Sequence, residues 1–354
     1  MSSSIQILVS GVPVGGGAPV VVQSMTKTPT VNTAATLQQI RALATAGARI
    51  VRVAVPDQAA ARAMAVLTAE SPVPLIADVH FDHRLALAAL RAGAAGVRIN
   101  PGNIGGREKV RAVVEAAREA GAVIRVGVNS GSVERDLRDL ETQDPALALA
   151  ESAVRYCRML EELDFRAIKV SVKSSRPWVT IRANRLVSER LPYPLHLGVT
   201  EAGTPWAGAI RSAVALGVLL AEGIGDTIRV SLTGDPVEEV KAAYEILRAL
   251  ELAPRGPRVI SCPTCGRTQI DLQPLAAEVE RRLEELGLDL EVAVMGCVVN
   301  GPGEARRADF GIAGGKGEGV VFAQGRPVRK VRERELVDAL FAEIARWRQG
   351  LVDS

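Results

Sequence analysis

Three of the four cysteines fall in two short stretches of the last third. These are Ser261-Cys262-Pro263-Thr264-Cys265-Gly266-Arg267 and Gly296-Cys297-Val298-Val299-Asn300-Gly301-Pro302-Gly303-Glu304. A C-x2-C pair with one distant partner is a metal-ligand spacing. A structural zinc site closes with four Cys or His ligands. Here no histidine follows the cysteines, since His80, His83 and His196 all lie upstream. Three thiolates without a fourth sulfur or nitrogen suit an iron–sulfur cluster, with one iron left to an oxygen ligand or open to substrate. Glu304, in the loop after Cys297, is the oxygen candidate. A zinc ribbon and unrelated thiols are the competing readings. Cys157 stands apart, at helical spacing with Val154, Leu160 and Glu161, and reads as a core residue.

The surrounding pattern predicts how the cysteines meet. Arg258–Ser261 reads as a short strand ending at Cys262, and Glu291–Met295 as another ending at Gly296-Cys297. Between them Gln273–Gly287 carries Leu275, Val279, Leu283 and Leu286 at helical spacing. A right-handed strand–helix–strand crossover makes the strands parallel neighbours. Both cysteine loops then leave the same sheet edge. Further on, Asp309–Ala313 and Gly319–Ala323 read as strands joined by a turn at Gly314–Gly317, and Glu333–Trp347 as a closing amphipathic helix.

Upstream, a β run followed by an Ala- and Leu-rich helical stretch recurs eight times. The runs are Pro19–Met25, Arg49–Val55, Pro74–His80, Gly96–Asn100, Val123–Asn129, Ala167–Lys173, Pro194–Thr200 and Thr227–Thr233. Such alternation predicts a (β/α)8 TIM-type barrel, followed by a smaller α/β iron–sulfur domain. The division falls at 1–252 and 253–354, with Ala253-Pro254-Arg255-Gly256-Pro257 as linker. Two β patterns around Gly15-Gly16-Gly17 predict an N-terminal hairpin, with the triple glycine as its turn.

Strand side chains alternate faces. One set is apolar: Val51, Val53 and Val55; Ile124, Val126 and Val128; Ile168, Val170 and Val172. The other holds Arg52; Asp78 and His80; Arg98 and Asn100; Arg125 and Asn129; Lys169, Ser171 and Lys173; His196; Arg229 and Ser231. The apolar set must face the helices, so the polar set faces the lumen. Barrel interiors are normally filled by branched apolar side chains, and a buried unpaired charge costs several kcal/mol. Asp78 and Glu201 can neutralise part of the set. The remaining positive charge calls for an anion with several oxygens, which Arg forks bind bidentately. An internal salt-bridge network without ligand is the bland alternative. Asp82 and His83 read as a solvated helix start.

Formal net charge is +3 and aromatic residues make up 3% of the chain, so neither an electrostatic footprint nor stacking platforms for nucleic acid are expected. No apolar run approaches the ~20 residues that span a bilayer, and MSSSIQILVSG lacks the basic and apolar regions of a signal peptide. With three of its cysteines reserved for metal, the protein is expected in a reducing cytoplasm.

Taken together, VVQSMT, ADVHFD, RINPGNIG, IRVGVNSGS, SVKSS, HLGVTEAG, GDTIRVSL, SCPTCGRTQIDL and MGCVVNGPGE resemble, in that order, the 4-hydroxy-3-methylbut-2-en-1-yl diphosphate synthase family of the non-mevalonate isoprenoid pathway, in its short bacterial form. The stretch Pro29-Thr30-Val31-Asn32 departs from the family's acidic Asp-Thr pattern, ahead of the first helix. The resemblance implies two-electron reductive ring opening of 2-C-methyl-D-erythritol 2,4-cyclodiphosphate, with loss of a hydroxyl as water. It implies a [4Fe-4S] cluster held by Cys262, Cys265 and Cys297, with Glu304 on the last iron until a substrate oxygen displaces it. It also implies diphosphate binding by Arg52, Arg98, Arg125, Lys173 and Arg229, aided by Asn100, Asn129 and Ser231, and proton transfer by Glu201. Reduced flavodoxin or ferredoxin would supply electrons. A homodimer is implied, in which one subunit's cluster domain covers the other's barrel; the linker does not decide between its own barrel and a neighbour's. Two other classes remain: a barrel transferase with a structural zinc tail acting on a phosphorylated or pterin-like substrate, and a non-enzymatic iron–sulfur scaffold, which would not need the inward basic residues.

Overall fold

The eight β runs form one parallel barrel: β3 (Val21–Met25), β4 (Ile50–Ala54), β5 (Leu75–Asp78), β6 (Gly96–Ile99), β7 (Val123–Asn129), β8 (Ile168–Lys173), β9 (His196–Leu197) and β10 (Thr227–Ile228). The hairpin β1 (Gln6–Val9) and β2 (Val12–Gly15) precedes them. The computed structural model describes residues 3–253, 256–297 and 308–352, and contains two compact units, 1–253 and 254–354.

From β3 to β8 each strand pairs with the next in sequence, while β10 pairs with both β3 and β9. The circle closes between β8 and β9 through a parallel bridge from Val170 to Leu195, where Val170 N donates to Pro194 O at 2.9 Å. Helices α1 (Thr33–Thr45), α2 (Gln58–Glu70), α3 (His83–Arg91), α4 (Pro101–Ile104), α5 (Arg107–Glu119), α6 (Arg138–Gln143), α7 (Pro145–Glu162), α8 (Pro177–Ser188), α9 (Pro205–Ala221) and α10 (Pro236–Ala249) lie between and after the strands. Asn32, Asp57, Asp82, Asp144 and Asp235 each accept a first-turn N–H and so fix where α1, α2, α3, α7 and α10 begin. Asp82 and His83 therefore stand where they were read, at a helix start. The strand residues Val51, Val53, Val97, Ile99, Ile124, Val126, Val170 and Val172 are buried with Leu67, Val113, Leu149, Leu160 and Leu219 of the helices. Cys157 is fully buried in that core, and burial pushes its thiol pKa up.

At the amino-terminal end the lumen is apolar. Val21, Ile50, Ile76 and Val123 point inward and pack on Ile7, Val9 and Val14 of the hairpin, which stoppers the barrel. The hairpin turn corrects the sequence reading: it is Ser10-Gly11, both in the left-handed region (φ 46° and 85°), and the triple glycine follows β2. A two-residue turn with positive φ matches the twist of the strands it joins.

The second unit is a mixed sheet in the order β11 (Arg258–Ser261), β12 (Glu291–Met295), β13 (Phe310–Gly314), β14 (Glu318–Ala323), β15 (Arg326–Arg332). β11 and β12 are parallel and joined by α11 (Leu272–Leu286). Gly287 ends α11 in the left-handed region (φ 59°), its N–H returning to Leu283 O at 3.1 Å. Val279 and Leu283, with Leu340 and Ile344 of the C-terminal helix Leu336–Val352, pack on Val292, Val294, Phe310 and Ile312. Gly315 N donates to Glu318 O at 2.7 Å, so residues 315–317 are a turn.

Candidate active site and cysteine cavity

Above its apolar floor the lumen is crowded with charge. The register sets Asp78 beside Arg98, Arg98 beside Arg125, Arg125 beside Lys169 and Asn129 beside Lys173. Arg98, Arg125, Lys169, Lys173 and His196 are all buried, and Arg52 is only 9% exposed. Asp78 is the carboxylate among them. It faces Arg52 Nε at 3.5 Å and Arg98 Nη1 at 3.3 Å. Burial alone would raise its pKa, but Arg52, the hydrogen bond with His80 and the charges of Arg98 and Arg125 outweigh that and hold it well below the usual carboxylate range. Arg98 also meets His80 Nε2 at 2.7 Å and donates to Gly127 O at 3.3 Å. Arg52 donates Nε and Nη2 to Met25 Sδ at 3.2 and 3.0 Å, a weak acceptor for a charged donor.

The rest of the basic set is under-partnered. Arg98 Nε, Arg125 Nε and Nη1, Arg229 Nε and both ring nitrogens of His196 are buried with no hydrogen-bond partner. Burial, reinforced by the neighbouring cations, pushes Lys173, His196 and Arg125 well below their ordinary pKa values. Burial likewise lowers Lys169 to about 7 and Arg229 to about 10. Native structures rarely leave buried donors unpaired. A bound polyoxyanion would offer acceptors to these donors and offset the repulsion among the cations.

Two lumenal positions are glycine for want of room. A Cβ on Gly127 would lie 2.4 Å from Arg98 Nε, and one on Gly198 2.6 Å from Lys173 Nζ. Asn100 is buried and donates to Ser132 O at 3.1 Å; Asn129 and Ser231 are half-buried. Glu201 corrects the sequence reading. It is exposed, in the left-handed region (φ 51°), and is not the counter-charge of the lumen. That role belongs to Glu239 of α10, whose side chain is 1% exposed and pairs with Lys27 Nζ at 2.9 Å and Arg229 Nη2 at 3.4 Å. Sequence reasoning missed it. The available signal was a glutamate at apolar helical spacing, with Ala243 and Ile246 on the same stripe.

In the second unit, Cys262, Cys265 and Cys297 line one cavity of about 90 Å³ with Pro263, Arg267, Thr268, Met295 and Gly296. Gly296 N donates to Cys262 Sγ at 3.3 Å, and Cys262 N to Val294 O at 3.2 Å. The Arg267 N–H and its guanidinium lower the pKa of the exposed Cys265 thiol, favouring thiolate. Glu304 lies outside the described residues. Among the described residues no three His, Cys, Asp or Glu converge to hold a single metal ion. Thiolates set around a cavity fit a polynuclear group, in which each sulfur holds a different iron.

A family model described as the GcpE TIM-barrel domain matches residues 4–244, and one described as the GcpE protein C-terminal domain matches residues 258–346. The chain belongs to the GcpE family. Its GcpE relatives include the 4-hydroxy-3-methylbut-2-en-1-yl diphosphate synthase (flavodoxin) of Geobacter sulfurreducens, 57% identical over 339 residues that cover 96% of each chain. The enzyme of that name from Clostridium acetobutylicum is 53% identical over 339 residues, 96% of this chain and 97% of its own. Among solved structures, a dihydropteroate synthase of Xanthomonas albilineans superposes with a TM-score of 0.51 at 16% identity, covering 72% of this chain and 100% of that one. That likeness shows the barrel fold alone. The GcpE C-terminal match begins at the strand that delivers Cys262 and spans all three cavity cysteines. No helix among the described residues is long and apolar enough to cross a membrane.

Proposed function

We infer that this GcpE chain is an iron–sulfur oxidoreductase, a 4-hydroxy-3-methylbut-2-en-1-yl diphosphate synthase, acting on 2-C-methyl-D-erythritol 2,4-cyclodiphosphate. In the reaction a ring C–O bond to phosphate and a C–OH bond on the adjacent carbon break, and a C=C bond forms between the two carbons. Two electrons are taken up, and the hydroxyl leaves with a proton as water. The observation that carries the reading is the lumen, where buried guanidinium nitrogens of Arg98, Arg125 and Arg229 stand unpartnered beside Lys173.

In this account Arg52, Arg98, Arg125, Lys173 and Arg229 hold the diphosphate oxygens, and Asn100, Asn129 and Ser231 complete the cradle. Charge-assisted bonds to phosphate are shorter and about twice as strong as neutral ones. The same cations offset the charge that develops as phosphate becomes the leaving group. Glu201 is the proposed proton donor at the mouth of the barrel. Cys262, Cys265 and Cys297 would hold a [4Fe-4S] cluster, with Glu304 as its oxygen ligand. Bound there, the cluster would supply the two electrons. Gly296 N–H, already directed at Cys262 Sγ, would help orient that ligand. Reduced flavodoxin, or ferredoxin, is the proposed donor, in a reducing cytoplasm, and the assembly a homodimer. Family membership does not favour a transferase with a zinc tail.

The test is anaerobic purification, assay of iron, acid-labile sulfide and zinc, and turnover of the cyclodiphosphate with reduced flavodoxin. Iron and sulfide in equal amounts with turnover is the expected result. Colourless protein with stoichiometric zinc would overturn the reading. Sedimentation of the same sample tests the dimer.

A further inference from the structure

Glu239 reaches the neighbouring strands β3 and β10 from outside the barrel, and four donors converge on it. Its Oε1 accepts from Lys27 Nζ at 2.9 Å and from Leu232 N at 3.0 Å. Its Oε2 accepts from Arg229 Nη2 at 3.4 Å and Ser24 Oγ at 3.5 Å. Lys27 in turn donates to Leu232 O at 2.7 Å and Gly234 O at 2.6 Å.

The position of this cluster matters because the β10 ladder ends at Ile228. Arg229 N still donates to Leu197 O of β9 at 3.0 Å, Ser231 lies beyond, and there the Glu239–Lys27 pair grips the chain at Leu232 and Gly234. Glu239 takes Nη2 of Arg229 and leaves its buried Nε unpartnered. Both carboxylate oxygens are engaged by donors, which blunts their repulsion of an anion. We propose that Glu239 is a positioning residue for the diphosphate: it fixes the bearing of Arg229, and of the strand end carrying Ser231, so that Nε meets a phosphate oxygen. This deepens the reading of the lumen as a diphosphate site and rests on it.

The test compares Glu239→Gln, Arg229→Gln and the double variant, each as anaerobically purified holoenzyme. Glu239→Gln should raise KM about tenfold, the scale of one charge-assisted bond, with kcat within about threefold. Iron content should stay close to wild type, while the melting temperature should fall, because the amide nitrogen faces donors that the carboxylate accepted. On the Arg229→Gln background the same substitution should add less than about twofold, because positioning residues act through their partner. An unchanged KM in folded Glu239→Gln, or a full effect persisting without Arg229, would overturn the proposal. If Glu239→Gln does not fold, Glu239→Asp keeps the charge but withdraws it. A KM rise that requires Arg229 then supports the proposal, and no rise overturns it. Failure of the wild type to turn over the cyclodiphosphate would instead remove the functional reading beneath it.

Discussion

Replacing Arg125 by methionine should make the ligand-free protein more stable and the enzyme worse. Arg125 is 2% exposed, two of its guanidinium nitrogens meet no acceptor, and Arg52, Arg98 and Arg229 repel it while Asp78 attracts it. Exchanging a poorly compensated buried charge for an apolar side chain of similar volume stabilises by roughly 1–4 kcal/mol. Taking about 2 kcal/mol, a unit of this size should melt roughly 4–8 °C higher. The ligand-bound state tells the opposite story. Losing the charge-assisted bonds to phosphate costs about 3 kcal/mol, roughly 100-fold in Kd. At a cyclodiphosphate concentration near 100 times the wild-type Kd, and without reductant, the wild type gains about 2.7 kcal/mol. The variant, then only half-saturated, gains roughly 0.4 kcal/mol. Melting curves with and without ligand, beside isothermal titration, measure all four states. A variant that melts lower than wild type without ligand, or binds as tightly, would refute the view of Arg125 as an under-compensated cation held for an anion.

Gly127→Ala should push Arg98 aside by about 1 Å and lower kcat/KM roughly 10- to 100-fold. Gly217→Ala is the control, in helix α9 with nothing within 4 Å of the added methyl, and should be neutral or slightly stabilising. Lys169→Met should raise the melting temperature most at low pH. The native Lys169 pKa, about 7, lies below its ordinary value of 10.5, so the unfolded chain binds more protons between them; the lysine's cost is full below pH 7 and fades as pH rises. A pH-independent difference between melts at pH 6 and 9 would count against this. Cys265→Ser should lose most iron in anaerobic preparations while keeping the barrel's circular dichroism, whereas Glu304→Ala should keep part of its iron and lose most turnover.

Much of this was legible because a strand's alternation is rigid. Once Val126 and Val170 faced the helices, Arg125 and Lys169 had to face inward, and the register bears this out. The meeting of Cys262 and Cys297 followed from one crossover between parallel strands. What escaped depended on more distant geometry. Glu239 enters the site from a helix, so strand parity could not reveal it, and Glu201 seemed the natural counter-charge because it follows the seventh run directly. Strand Arg326–Arg332 left no mark in the pattern because an edge strand that is almost wholly exposed shows no alternation. The triple glycine drew the hairpin turn away from Ser10-Gly11, where positive φ is in fact required.

The packing of Ile7, Val9 and Val14 against Val21, Ile50, Ile76 and Val123 seals the amino-terminal end of the barrel lumen. Traffic is therefore one-way-in, same-way-out: a spent molecule must clear the doorway before a fresh one can take its seat. Product should compete directly with substrate in steady-state kinetics, and turnover can be throttled by departure as readily as by bond cleavage.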